Sequence, residues 1–210
     1  MNRPLSTAAA ALLSLACLAL PSCAPADDEL AAGAEALTVN RCPDPMPAAG
    51  AAGTSLTPAA DQRLWFTLHA VGTQNYTCNA AGTAWTFTGP VARLQNDCGH
   101  TVGRHYASAD GPTRPAWEYQ DGSVVVMQRA GGVAVSPTAV PWLLLTAVSH
   151  SGEGRFEDVT SIQRLNTVGG LTPAGACSPG ATVAVPYEAD YFFYKTGNGN
   201  PAHNPQCRSR

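Results

Sequence analysis

From residue 61 onward, short apolar stretches alternate with closely spaced turn residues. Glycine beside proline, aspartate or a second glycine marks the turns, at Gly89-Pro90, Asp121-Gly122, Gly131-Gly132, Gly169-Gly170 and Pro179-Gly180. The stretches between the turns have the length of strands and are too short for most helices. Short strands at regular spacing are typical of all-β sandwiches and barrels.

Two stretches indicate how the strands would be covered. A strand through residues 159–167 has polar groups on both faces, with Gln163 on one face and Arg164 on the other. The stretch PWLLLTAV at 141–148 is apolar on both faces, which suits a strand that is covered on both sides. We therefore predict an all-β fold, a single sandwich or barrel-like domain of short antiparallel strands.

The N-terminus has the three-part layout of a secretory signal. Arg3 supplies a positive charge, residues 8–20 are apolar, and small residues follow. The stretch LPSC at 20–23 resembles the bacterial lipobox, whose cysteine is diacylated and becomes the first residue of the mature chain. We predict a lipoprotein signal peptide over residues 1–22 and a lipid anchor on Cys23. An ordinary signal peptide that is cut nearby is the alternative.

Residues 23–60 are rich in alanine, proline, glycine and acidic residues and contain almost no aromatic side chains. Such a composition cannot bury enough surface to fold alone, so it predicts a tether. Residues 61–210 would then form the single β domain. Ala24, rather than aspartate, after the lipidated cysteine favours the outer membrane, with its periplasmic and cell-surface faces both open. The expected partner is therefore the membrane, reached through Cys23.

The charge of the chain argues against nucleic acid as a partner. Charged residues make up 13% of the 210 residues, and the net charge is −3. Nucleic-acid binding needs a clustered basic face, and the sequence has no basic run.

The seven cysteines indicate structural disulfides in a secreted protein. Loss of Cys17 with the signal and lipidation of Cys23 would leave one thiol free or paired with another molecule. If Cys23 carries no lipid, six cysteines would pair among themselves. No Cys-x-x-Cys spacing points to a zinc knuckle or a thioredoxin-type redox site.

Five blocks of sequence together resemble one known family. The blocks are GTQNYTC at 72–78, PAWEYQDGS at 115–123, PWLLL at 141–145, TSIQRLNTVGG at 160–170 and VPYEADYFFY at 185–194. In this order they resemble a family of secreted bacterial and fungal proteins that is known only as a domain of unknown function. The resemblance implies one domain and an extracytoplasmic address, and it implies no activity.

Some fungal members of that family carry a malate dehydrogenase name, which these residues do not support. A nicotinamide site needs Gly-x-Gly-x-x-Gly between a strand and a helix. The nearest match, residues 197–202, contains Pro201 and leaves no room for a following strand. We reject the dehydrogenase interpretation and expect no cofactor.

The resemblance also implies a pairing of cysteines. Family members carry cysteines that match Cys42, Cys78, Cys98 and Cys177. The implied bonds are Cys78 with Cys98, which would close a local loop, and Cys42 with Cys177, which would tie the tether to the domain. Cys207 would be left over.

His100 and His105 are the first weak candidates for chemistry. Residues five apart on a regular strand face opposite ways, so only a bulge at Gly103 would bring both histidines to one metal ion. We favour two separately hydrogen-bonded histidines and no metal site.

Glu118 and Asp121 are the second weak candidates. They would act as acid and base on an envelope glycan, with Trp117 and Tyr119 stacking on the sugar. A hairpin turn at Asp121-Gly122 beside a buried tryptophan is the interpretation that we favour.

The polar residues Arg104, Arg164 and Glu188 would either form ion pairs or line a polar cavity at a barrel mouth.

The leading prediction is an outer-membrane-anchored lipoprotein with a non-catalytic binding or structural role, and its ligand would be an envelope glycan or a small molecule. The alternative is an envelope hydrolase or metal-dependent enzyme that uses a cavity near His100, His105, Glu118 and Asp121.

Overall fold

The computed structural model describes residues 54–197, which form eight β-strands. The strands are β1 (Gln62–Cys78), β2 (Trp85–Gln95), β3 (Thr101–Ser108), β4 (Gly111–Tyr119), β5 (Val124–Val133), β6 (Trp142–Ser151), β7 (Ser161–Gly169) and β8 (Thr182–Thr196). The prediction of an all-β fold is confirmed. Within these residues, no helix is long and apolar enough to cross a membrane.

The eight strands form an antiparallel meander that closes into a barrel. Each strand pairs with the next one along the chain, and β1 also pairs with β8 from Gln62↔Thr196 to Thr77↔Thr182. Of the two architectures that the sequence predicts, the domain therefore adopts the barrel.

Closure gives every strand an inner and an outer face, and β8 shows this division clearly. Tyr187, Tyr191 and Phe193 belong to the main core and are at most 2% exposed. Glu188 and Asp190 alternate with them and face outward. These three aromatic residues therefore fill the barrel, while the carboxylates stay at the surface.

An aromatic stack fills one end of the barrel. The Phe66 ring centre lies 4.6 Å from that of Phe193 and 5.8 Å from that of Phe156. Tyr119 meets Phe156 edge-on, and the guanidinium of Arg155 lies 4.2 Å from the Phe66 ring centre. Small barrels are commonly filled by side chains in this way, so this end is closed.

Residues 54–57 cover an apolar patch on the outside of the barrel. Leu56 is fully buried against Leu165 and Phe192, both of which face outward. The buried Nε2 of Gln163 donates a hydrogen bond of 2.7 Å to the Leu56 carbonyl. This cover explains why the stretch that forms β6 is apolar on both faces.

The covering residues are the last part of the predicted tether. Residues 23–53 of that segment, including the lipid site Cys23 and the cysteine Cys42, lie outside the described residues, as does the C-terminal Cys207. The prediction of a tether over residues 23–60 therefore stays a prediction.

The structure corrects the disulfide pairing. Cys78 bonds to Cys177 across a sequence separation of 99 residues. The implied pairs Cys78 with Cys98 and Cys42 with Cys177 are therefore wrong. Cys98 is disulfide-bonded as well, but to neither of these two partners. The physical reason is the meander, which brings the end of β1 beside the long β7–β8 connection rather than beside the β2–β3 turn.

Replacing Leu56 tests whether the covering segment stabilises the barrel. We expect Leu56→Ala to lower the free energy of unfolding by about 3 kcal/mol, because it removes a fully buried side chain and leaves a cavity. Equilibrium urea unfolding measures the change. Val168→Ala is the control, since Val168 is 61% exposed and its truncation leaves stability nearly unchanged. Equal effects of the two variants would contradict the packing of Leu56.

Candidate functional site

A cavity of about 430 Å³ opens at the mouth of the barrel opposite the aromatic stack. Its size falls in the range of small-molecule pockets, about 300–1,000 Å³. Its lining comprises Gln74, Tyr76, Phe87, Pro90, His105, Pro112, Thr113, Pro115, Trp117, Arg129, Val140, Pro141, Leu143, Leu145, Arg164, Leu171, Thr172 and Tyr191. Most of these side chains are apolar, and a few polar groups are placed among them.

Three rings form the floor of the cavity. His105 of β3 stacks on Trp117 of β4, with ring centres 4.0 Å apart. Tyr191 of β8 meets both rings edge-on, at 5.3 Å from each. The register that pairs His105 with Trp117 places both rings on the inner face of the barrel. All three residues are at most 3% exposed, so the floor is closely packed.

The buried environment keeps His105 neutral. Burial lowers the pKa of His105 to about 3, and the charge of Arg164 acts in the same direction, although the hydrogen bond to the Ala116 carbonyl opposes it. In the neutral ring, Nδ1–H donates to that carbonyl across 2.9 Å. Nε2 is then an acceptor with a free lone pair.

Two buried donors in the lining have no partner. The indole Nε1 of Trp117 and the amide Nε2 of Gln74 make no hydrogen bond within the described residues. The Gln74 amide lies beside the Tyr187 hydroxyl, but in a geometry that falls short of a hydrogen bond. Leaving a buried donor unpaired costs about 1–3 kcal/mol, so such donors point to a bound acceptor.

Arg164 of β7 brings a positive charge into the cavity. Its Nε and Nη2 donate to the Pro141 carbonyl at 3.2 and 2.8 Å, which fixes the plane of the guanidinium. Within residues 54–197, no carboxylate lies within 4.0 Å of it. Arg129 supplies a second positive charge at the rim, and the lining contains no aspartate or glutamate.

Two tyrosine hydroxyls lie next to this charge. The hydroxyls of Tyr187 and Tyr191 are 3.2 Å apart in the barrel interior. Burial raises the pKa of both groups above that of a free tyrosine, so both stay protonated at neutral pH. They can therefore donate or accept hydrogen bonds, but they carry no charge.

The loops at the mouth are held in place by covalent and polar bonds. The Cys78–Cys177 disulfide ties the β7–β8 connection to the end of β1. The buried Tyr76 hydroxyl donates to the Gly170 carbonyl at 2.7 Å, next to the lining residue Leu171. Thr167 donates to the Val140 carbonyl at 2.6 Å and thereby positions the β5–β6 connection. These bonds thus hold the loops around the entrance in fixed positions.

The structure does not bring the four predicted catalytic residues together. Only His105 lines the cavity. His100 is exposed just before β3, and Glu118 points outward from β4, where Arg104 donates to its carboxylate at 2.7 and 2.9 Å. This ion pair holds the pKa of Glu118 below its usual value. The reason is the strand period, since Glu118 neighbours Trp117 in sequence and therefore faces the other way.

Asp121 lies in the β4–β5 turn, at the closed end of the barrel. Its carboxylate accepts hydrogen bonds from the Ser123 hydroxyl at 2.6 Å and from the Arg155 backbone amide at 2.8 Å. Asp121 therefore orders two connections and does not line the cavity at the mouth. Over the described residues, no group of three histidine, cysteine, aspartate or glutamate side chains is placed to hold a metal ion.

Sequence reasoning missed Gln74 and the indole donor of Trp117. A signal was present for Gln74, because it is a polar residue at an inward position of β1, two residues before the inward Tyr76. Arg164 was recognised as either an ion-pair member or part of a polar cavity, and the structure places it in the cavity.

Residues 58–195 match a family model described as Protein of unknown function (DUF3455). The chain belongs to this family. The match includes every residue that lines the cavity, so the site is built entirely from the DUF3455 domain. No curated protein and no solved structure matches the chain.

Acidification tests the buried state of His105 in this DUF3455 barrel. Between about pH 3 and 6.5 the unfolded chain binds a proton at His105 that the folded chain excludes. Stability therefore falls as the pH drops through this window. We expect the wild type to lose about 3 kcal/mol more than His105→Gln between pH 6.5 and about pH 4.

Urea unfolding at a series of pH values measures this difference. His100→Gln is the matched control, because it removes an exposed histidine five residues away. The control keeps the acid sensitivity of the wild type. Parallel pH profiles for the wild type and His105→Gln would show that His105 is not buried as described.

Proposed function

We propose that this protein is an outer-membrane-anchored envelope lipoprotein whose barrel binds a small, mostly apolar molecule and catalyses no reaction. The observation that carries the binding role is the cavity at the barrel mouth with its two unpartnered donors, Trp117 Nε1 and Gln74 Nε2. Pockets of this kind, apolar with a few converging polar groups, are typical of small-molecule sites.

A binding role explains the lining better than catalysis does. Its titratable groups are His105, held neutral with a pKa of about 3, the tyrosines Tyr76 and Tyr191, and the arginines Arg129 and Arg164. A histidine this weakly basic is a poor general base near neutral pH. The alternative of a hydrolase or a metal-dependent enzyme has no comparable support, since its candidate residues lie apart.

A small apolar molecule also suits the lining better than a glycan does. A sugar presents many hydroxyl groups, whereas the walls consist mostly of proline, leucine and aromatic side chains. The ring pair of Trp117 and Tyr119, expected to stack on a sugar, is buried inside the barrel and at most 7% exposed. We therefore propose the small molecule as the occupant.

A screen of thermal stability tests the binding role. A ligand that binds only the folded state raises the melting temperature. We expect some small apolar compounds to stabilise the wild type by several degrees and to lose the effect in Leu145→Trp, which fills the cavity from its buried wall. Val148→Trp, on an exposed position of the same strand, is the control and keeps the response. Identical shifts in both variants would contradict binding in the cavity.

The proposed anchor is supported by the lipobox at 20–23 and the Ala/Pro-rich segment after it. Growth with a clickable fatty acid tests the anchor directly. We expect the wild type and Cys17→Ala to be labelled and Cys23→Ala to be unlabelled, because only Cys23 stands at the lipidation position. Equal labelling of all three forms would contradict lipidation at Cys23.

A further inference from the structure

We infer that the occupant of the cavity is a small carboxylic acid with an apolar body, whose carboxylate lies against Arg164. This inference rests on the proposed binding role and specifies its ligand.

The charge of the cavity is positive and unbalanced. Arg164 lies inside the barrel and Arg129 at the rim, while His105 is neutral. The carboxylates on neighbouring strands, Glu118 and Glu188, face outward because they alternate with inward residues. A buried or half-buried charge is stable only when it is paired or well hydrogen-bonded, so the site favours an anion.

The guanidinium of Arg164 is fixed in position and still has N–H groups that the Pro141 carbonyl does not use. The Pro141 carbonyl takes Nε–H and one Nη2 hydrogen. Three of the five N–H groups remain for the neighbouring Tyr191 and an occupant. An arginine that is fixed in its plane presents a fork, which matches the two oxygens of a carboxylate.

The neutral donors favour the same head group. Trp117 Nε1 and Gln74 Nε2 each lack an acceptor, and a carboxylate offers about four lone-pair sites. Arg164 is the half-buried arginine inside the barrel and would balance a single negative charge, whereas Arg129 at the rim is exposed to water. A phosphate dianion would leave excess charge in the barrel, so the inferred ligand is a monoanion.

The walls define the rest of the molecule. Tyr76, Phe87, Leu143 and Leu145 line the space between the floor and the rim. Pro112 and Pro115 contribute rigid apolar surface on the β4 side. A body of aromatic or aliphatic carbon would be in contact with this surface on several sides, and its burial supplies most of the binding energy.

Matched pairs of carboxylates and amides test the inference on the full-length protein. The probes are benzoate, 2-naphthoate and octanoate, each compared with its primary amide by isothermal titration calorimetry. We expect at least one carboxylate to bind at least tenfold more tightly than its amide, because charge-assisted hydrogen bonds to arginine are lost in the amide. This comparison needs only the wild type and does not depend on the folding of a variant.

A variant then assigns the preference to one residue. We expect Arg164→Met to reduce the ratio between carboxylate and amide affinity to about one, while the amide still binds. Arg104→Met is the matched control, because Arg104 pairs with Glu118 on the outer face. The control keeps the wild-type ratio.

Each contrary result has its own meaning. Carboxylates and amides that bind equally, or neutral compounds that bind while no carboxylate does, would overturn the carboxylate inference and leave the binding role intact. Absence of binding by every charged and neutral compound would overturn both. A tenfold preference that survives in Arg164→Met would overturn the assignment to Arg164.

Discussion

The pairing of β1 with β8 joins the first strand of the sheet to the last, and the division into inside and outside follows from it. Along this seam Tyr187, Tyr191 and Phe193 enter a common interior while their neighbours in sequence stay outside. Without closure, one face of the sheet would expose these rings to water. With it, the floor of the cavity is assembled from the β3–β4 hairpin and from β8, which lies far from that hairpin in sequence.

The barrel interior holds several polar groups among its apolar side chains. The polar groups that it holds, Gln74, His105, Trp117 and Arg164, all oppose folding to some extent because they leave water. The aromatic stack and the covering segment at Leu56 supply apolar burial elsewhere in the same unit. Under the proposed binding role, the domain separates its tasks, with stability at the filled end and on the covered face, and recognition at the mouth.

Much of the architecture could be predicted from the order of turns and strands, because the period of two is a local property of the chain. The hairpin at Asp121-Gly122 and the two-sided burial of β6 are examples. The choice between a sandwich and a barrel could not be predicted from this local pattern, because it depends on whether β1 pairs with β8. The wrong pairing of Cys78 has a related origin: the bond to Cys98 that the family resemblance implied would close a local loop, whereas the meander brings Cys177 alongside.

The aromatic stack at Phe66, Phe156 and Phe193 fills the end of the barrel opposite the cavity, so the mouth is the entrance that the described residues leave. A molecule that occupies the cavity must depart through the same opening by which the next one arrives. When the cavity is fully occupied, a second ligand can bind only after the first has dissociated. The rate of exchange then equals the dissociation rate of the first ligand and does not depend on the concentration of the second. The residence time of a bound ligand would therefore be set by its own dissociation rate, whatever the concentration of competing ligands in solution.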